Sequence, residues 1–161
     1  MRPEDPLSYR RVLGHFATGV TVVCGMVDGH PVGLTVNAFA SVSLDPPMIL
    51  FCPSRSSYTW QSVRATERFS VNFLGEDQGE LCRRFSERGT DRFSQIPWEP
   101  SPAGLPILQG AIAWIQCLVS EVHQGGDHDV VTASVEALGL GPDETPGPLV
   151  FFKGSYHRLE R

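Results

Sequence analysis

Gly33-Leu-Thr-Val-Asn-Ala-Phe-Ala-Ser-Val-Ser-Leu-Asp-Pro-Pro-Met-Ile-Leu-Phe-Cys-Pro-Ser-Arg-Ser-Ser57 is the stretch around which the rest of the chain is read. Thr35 to Ala40 mixes β-branched with small residues, so it reads as a strand whose backbone N–H and C=O groups can stay close to a flat ligand. Asp45-Pro46-Pro47 stops that strand, because proline fixes φ and cannot donate to a ladder, and Met48 to Cys52 starts another. Ser54-Arg55-Ser56-Ser57 follows, and Tyr58 to Ala65 reads as a helix beginning there. Hydroxyls, a guanidinium and a helix N-terminus together have the composition of a phosphate site.

Upstream, Asp5-Pro6 starts a helix with a capping carboxylate and a proline at the first helical position. Tyr9, Val12, Leu13 and Phe16 form one stripe that Gly19 closes, which predicts a short amphipathic helix lying outside a sheet. Val20 to Val27 and Pro31 to Phe39 read as strands joined by Asp28-Gly29, the favoured type I′ hairpin pair. Downstream, Phe69 to Leu74 is a strand, and Asp77 to Glu87 a helix with Leu81, Cys82 and Phe85 on its apolar side. Arg88 to Pro97 has loop chemistry and Trp98 to Pro106 reads as an irregular connector. Ile107 to Val122 reads as a long strand that spans a barrel or bends at Gly110; the glycine-rich turn Gln124 to His128 then leads into Val130 to Leu140. In that last strand Val131, Ala133, Val135 and Ala137 share a face. Gly141 to Pro148 is a loop before the final strand, Leu149 to Lys153.

Hairpin-connected strands, few helices and no βαβ rhythm predict a mainly β fold: one domain over residues 1–161, an antiparallel barrel with peripheral helices outside it. No Gly-x-Gly-x-x-Gly follows a strand, so a nicotinamide would have to bind by a mode other than the Rossmann one. A net charge of −5 and a single lysine, Lys153, argue against a nucleic-acid surface. Cys24, Cys52, Cys82 and Cys117 are far apart and form no Cys-x-x-Cys pair, which favours free thiols in a reducing cytoplasm. The polar N-terminus and the lack of a long apolar run argue against a signal peptide or membrane span. The histidines His15, His30, His123 and His157 have no metal-ligand spacing, and no Gly-x-Ser-x-Gly elbow supports a hydrolase.

Thr18-Gly-Val-Thr-Val-Val23, Gly33-Leu-Thr-Val-Asn-Ala-Phe39, Ser41-Val-Ser-Leu-Asp-Pro-Pro47 and Gly126-Asp-His128, in that order, resemble the flavin reductase family with the FMN-binding split-barrel fold. The likeness runs from about Tyr9 to Leu159. It implies an NAD(P)H-dependent enzyme, typically homodimeric, that transfers hydride from NADH or NADPH to FMN or FAD and supplies reduced flavin to a partner monooxygenase. Hydride transfer would need the two rings stacked at roughly 3–3.5 Å.

On that resemblance Thr35, Val36, Asn37 and Ala38 contact the flavin ring; Asn37 agrees with this, since an amide buried in a strand needs a partner. Ser41, Ser54, Arg55, Ser56 and Ser57 would hold the phosphate, and Cys52 joins the cofactor contacts at the end of its strand. Arg92 and Phe93 fall in a region that approaches the flavin in the family. His128 is expected on the nicotinamide side and is the candidate catalytic residue, with Asp127 orienting its ring or closing the turn. Ala133 stands where relatives usually carry glycine. Tyr156 resembles a terminal motif used near the substrate pocket, often at a subunit boundary. Two other readings share the fold: a flavin- or heme-binding carrier, and a flavin-dependent oxidase or oxygenase acting on its own substrate.

Overall fold

Asp28 and Gly29 both take positive φ, 49° and 78°, and join β2 (Thr21–Val27) to β3 (His30–Val36) as the hairpin that the Asp-Gly pair predicts. The computed structural model describes residues 2–89, 91–142 and 146–159.

β3 is shorter than expected. The strand predicted to run through Phe39 stops at Val36, and Asn37-Ala38 turns the chain into β4 (Phe39–Leu44). The N–H of Phe39 donates to the carbonyl of Asn37 at 3.1 Å, a bond across three residues that only a γ-turn allows. β5 (Pro47–Phe51) then pairs back onto β4, and α2 (Tyr58–Ala65) begins where predicted, with Ser57 as its N-cap. After β6 (Arg68–Phe73), α3 (Gly79–Ser86) buries Cys82 and Phe85.

Two further predictions needed correction. Trp98 to Pro106 is not wholly irregular: β7 (Trp98–Pro100) and β8 (Pro106–Leu108) pair as a two-stranded ribbon, whose edges tolerate proline. The strand predicted from Ile107 is divided, because Gly110 turns at φ 83° before β9 (Ala113–Gly125) begins. β9 and β10 (His128–Leu140) form the long hairpin, with register shifts between Thr132 and Ala133 and between Val135 and Ala137. The chain closes with β11 (Val150–Phe152) and β12 (Ser155–His157); β11 also pairs with β1 (Thr18–Gly19).

Seven strands form one antiparallel sheet in the order β3-β2-β6-β9-β10-β5-β4. Its two edge strands, β3 and β4, are separated in the chain by only Asn37 and Ala38. A sheet whose outermost strands are two residues apart must curl until its edges approach, so connectivity alone imposes the barrel. The main core gathers Val23, Phe51, Phe69, Val71 and Val131 with Trp60 and Val63 from α2. Alternate residues of β2, Val22 and Cys24, enter a second core with Leu74, Cys82, Phe85 and Phe93. β2 therefore reads as a continuous apolar run because both of its faces are covered.

α1 (Pro6–Leu13) is capped by Asp5 as expected but ends at Gly14 rather than Gly19, which lies in β1. It buries no residue: Tyr9 is 56% exposed and Val12 51%. Helical periodicity identifies the apolar face but not what covers it, and among the described residues nothing buries it. Among the described residues no helix is long and apolar enough to cross a membrane, and no three His, Cys, Asp or Glu side chains converge as a metal site.

Candidate active site

β3 is an edge strand, so every second residue points its main-chain groups away from the sheet. The carbonyl of Gly33 does so, since it accepts from the Arg92 guanidinium at 2.7 Å. The two-residue period turns the N–H and C=O of Thr35 the same way. The hydroxyl of Thr35 is committed elsewhere, donating to the Cys82 carbonyl at 2.8 Å and tying β3 to α3.

The segment after β5 is aligned by the β9–β10 hairpin. The Asp129 N–H donates to the Pro53 carbonyl and the Arg55 N–H to the Asp127 carbonyl, both at 3.0 Å, while Ser54 and His128 form a bridge. Gly126 turns the hairpin at φ 75°, which glycine adopts without a Cβ penalty. These bonds bring the start of α2, the edge of β3 and His128 around one cleft of about 800 Å³.

The cleft gathers Thr35, Val36, Asn37, Ala38, Cys52, Ser54, Ser56, Ser57, Arg92, Phe93 and His128. Asn37 and Ala38 are exposed in the link between strands, so the Asn37 amide is not the buried mid-strand group assumed from sequence. The Ser54 and Ser56 hydroxyls share a hydrogen bond of 2.9 Å. The Ser57 oxygen accepts from the Trp60 N–H at 3.1 Å and serves as the helix cap. Phe93 stacks edge-on against Phe85, their centroids 5.0 Å apart, and gives the cleft an apolar wall. Burial pushes the Cys52 thiol up, keeping it protonated, and lowers the proton affinity of Arg92.

Ser41, Arg55, Asp127 and Tyr156 do not line this cleft. Ser41 is exposed on β4. The Arg55 guanidinium turns away, with Nε 3.6 Å from Asp129 and one amino group 3.3 Å from the Gly126 carbonyl. Asp127 is exposed, with its carboxylate 2.8 Å from Nδ1 of His128; that hydrogen bond is the main cause holding the carboxyl below its usual range. Tyr156 sits behind the wall, its hydroxyl 3.0 Å from Sγ of Cys82.

Burial, followed by that contact with Cys82, pushes the Tyr156 phenol up to about 12 from 10.0. Cys117 is likewise raised from 9.0 to about 12 by burial. Both groups are neutral when protonated and have raised values in the fold. Their contribution to stability is therefore complete below the unfolded values and is lost as pH rises through 9 towards 12. Thermal melts across that range should show a falling Tm; ionisation of Tyr156 near its free value without loss of structure would contradict the half-buried contact with Cys82.

Sequence reasoning missed Gly33 as a cleft wall, and Thr59 and Asp129 as supports. Asp129 is buried, accepts from Nε1 of Trp60 at 2.8 Å and faces both Arg55 and Arg64. A signal was available: Asp129 lies two residues before Val131 and therefore on the inward row of β10.

Residues 13–160 match the flavin reductase like domain. The chain belongs to the flavin reductase family. Its relatives include the reductase subunit HsaB of a flavin-dependent monooxygenase from Mycobacterium tuberculosis, 46% identical over 97% of this chain and 83% of that protein. The crystal structure of nitrilotriacetate monooxygenase component B from Mycobacterium thermoresistibile superposes with a TM-score of 0.94 at 45% identity, covering 98% of this chain and 88% of that one. The Streptomyces globisporus NADH:FAD oxidoreductase SgcE6, solved in complex with NAD and FAD fragments, gives a TM-score of 0.92 at 32% identity, covering 99% and 96%. In this flavin reductase-family chain the split-barrel fold expected from sequence is therefore present over nearly the whole length.

Proposed function

We propose that this chain is an NAD(P)H-dependent flavin reductase that takes FMN or FAD into the β3–α2 cleft and delivers reduced flavin to a partner monooxygenase. The observation that carries this reading is the outer edge of β3, with Arg92 bonded at Gly33 and the main-chain groups of Thr35 turned outward, facing the Ser54 and Ser56 hydroxyls and His128 across one cleft. The chemistry of the donor set fits a flavin. A flat ring edge with alternating donors and acceptors is met by outward main-chain groups, and a phosphate by two hydroxyls and the N–H groups opening α2. The cleft volume lies within the range of about 300–1,000 Å³ usual for cofactor sites.

A bound flavin supplies the hydride-accepting chemistry. The chain's residues supply binding and geometry. Gly33 to Ala38 orient the ring, with Cys52 and Arg92 beside it; Ser54, Ser56 and the capped helix start hold the phosphate. Phe85 and Phe93 exclude water, and His128, steadied by Asp127, flanks the nicotinamide side. The relatives named above support a monooxygenase partner. A homodimer would give cover to the exposed apolar side chains Leu7, Phe16, Leu44, Leu138 and Leu140. The four free cysteines support a reducing cytoplasm.

Aerobic oxidation of NADH and of NADPH, each with no flavin, FMN or FAD, tests the reading. Turnover that saturates with added flavin is expected. No turnover in any combination would overturn it in favour of a carrier. In the same assay His128→Ala should raise the KM for the nicotinamide about tenfold, the value of one good hydrogen bond, with flavin affinity nearly unchanged. Loss of flavin binding instead would place the histidine in the wrong role.

A further inference from the structure

Beside the main cleft lies a second cavity of about 480 Å³, between α2 and the β9–β10 hairpin, into which Arg55, Arg64, Gln61 and Gln124 project. Ser56 lines both cavities, so they adjoin at the hydroxyl pair assigned above to the first phosphate. Two guanidiniums converging here are notable in a chain of net charge −5. They face buried Asp129, but at 3.6 Å from Arg55 and 3.8 Å from Arg64, too long for either contact to be a hydrogen bond. Asp129 is held instead by Trp60, and both arginine side chains remain nearly half exposed, at 44% and 47%. Each guanidinium carries five donors, and Arg55 directs one to Gly126. The cavity thus has an excess of one positive charge and donors free to grip a phosphoryl group.

We infer that this cavity is a subsite for the second, adenosine-bearing phosphate of FAD, and that Arg64, with Arg55, selects the dinucleotide over FMN. The inference rests on the flavin reductase reading and deepens it. A ligand with its first phosphate at Ser54 and Ser56 passes Ser56 to enter the second cavity, whereas FMN ends before it.

Isothermal titration calorimetry of the intact apoprotein with FAD and with FMN tests this without any turnover. The wild type should bind FAD more tightly than FMN, and Arg64→Ala should reduce the FAD-to-FMN affinity ratio about tenfold, the value of one charge-assisted hydrogen bond. Arg64→Lys should recover part of the ratio, since it keeps the charge but not the fork, and it serves as the test if the alanine variant folds poorly. An unchanged ratio in both variants would overturn the inference. So would an effect confined to NADPH against NADH, which would assign the arginines to a nicotinamide 2′-phosphate. Failure of the flavin reductase reading is separately visible as an absence of NAD(P)H oxidation with either flavin.

Discussion

Trp60→Ala should be the most destabilising single substitution in the cleft's support, lowering stability by about 3–5 kcal/mol. For a chain of this size that corresponds to a fall in Tm of about 6–20 °C. Trp60 is fully buried, and its ring meets Phe51 edge-on with centroids 5.4 Å apart. Its indole N–H is also a buried donor to Asp129, at 2.8 Å. Truncation therefore opens a cavity in the main core and leaves a buried carboxylate without its closest partner. Trp60→Phe largely separates the two effects, because it keeps an aromatic ring against Phe51, removes the donor and opens a much smaller cavity than alanine does. That variant should lose about 1–3 kcal/mol, the cost of an orphaned buried polar group. Thermal melts with both variants and with Asp129→Asn in a double-mutant cycle measure the coupling; purely additive effects would show that the indole–carboxylate contact contributes nothing. Because Asp129 also ties the hairpin to Pro53 through its N–H, the same variants should weaken flavin binding.

Gly33→Val acts on the cleft more than on the core. A Cβ at Gly33 would stand 2.9 Å from Cε1 of Phe85 and 3.2 Å from Sγ of Cys24, closer than the packed core can accept without movement. Overpacking of this kind costs about 1–3 kcal/mol. Relief requires Phe85 to move outward, and Phe85 carries Phe93 with it through their edge-on contact. Arg92, bonded to the Gly33 carbonyl, would shift as well. Displacing the wall that orients the ring by about 1 Å should reduce kcat/KM about a hundredfold. Gly79→Ala is the control, since a Cβ there meets nothing within 4 Å. Turnover retained in Gly33→Val would show that the β3 edge does not orient the flavin.

Much of the architecture was legible because it depends on local chemistry. Asp28-Gly29 requires a tight hairpin, and Ser57 caps α2 where the hydroxyl-rich segment meets the helix. The errors fell where a competing long-range contact decided the outcome. β3 stops at Val36 because the chain must pass from one sheet edge to the other, and no propensity in Thr35 to Ala40 reports that. Ile107 to Leu108 pairs with β7 instead of extending β9, a choice made by the ribbon and not by either segment.

The site divides in the same way. Ser54, Ser56, Ser57 and His128 are recognisable by residue type, and the fold brings them to one cleft. The direction of Arg55 is not recognisable, since it depends on Asp129 lying across 74 residues of chain. The ligand-facing edge of β3 depends on which strand lacks a second neighbour, and that is a property of the whole sheet. Residue types and their order set the strand-forming runs, the turns and caps, and the inventory of polar groups, because each arises from a residue and its near neighbours. Tertiary structure alone decided which backbone groups stay free, which arginine faces which cavity and which carboxylate is buried, because burial and pairing belong to segments that meet only when the barrel closes.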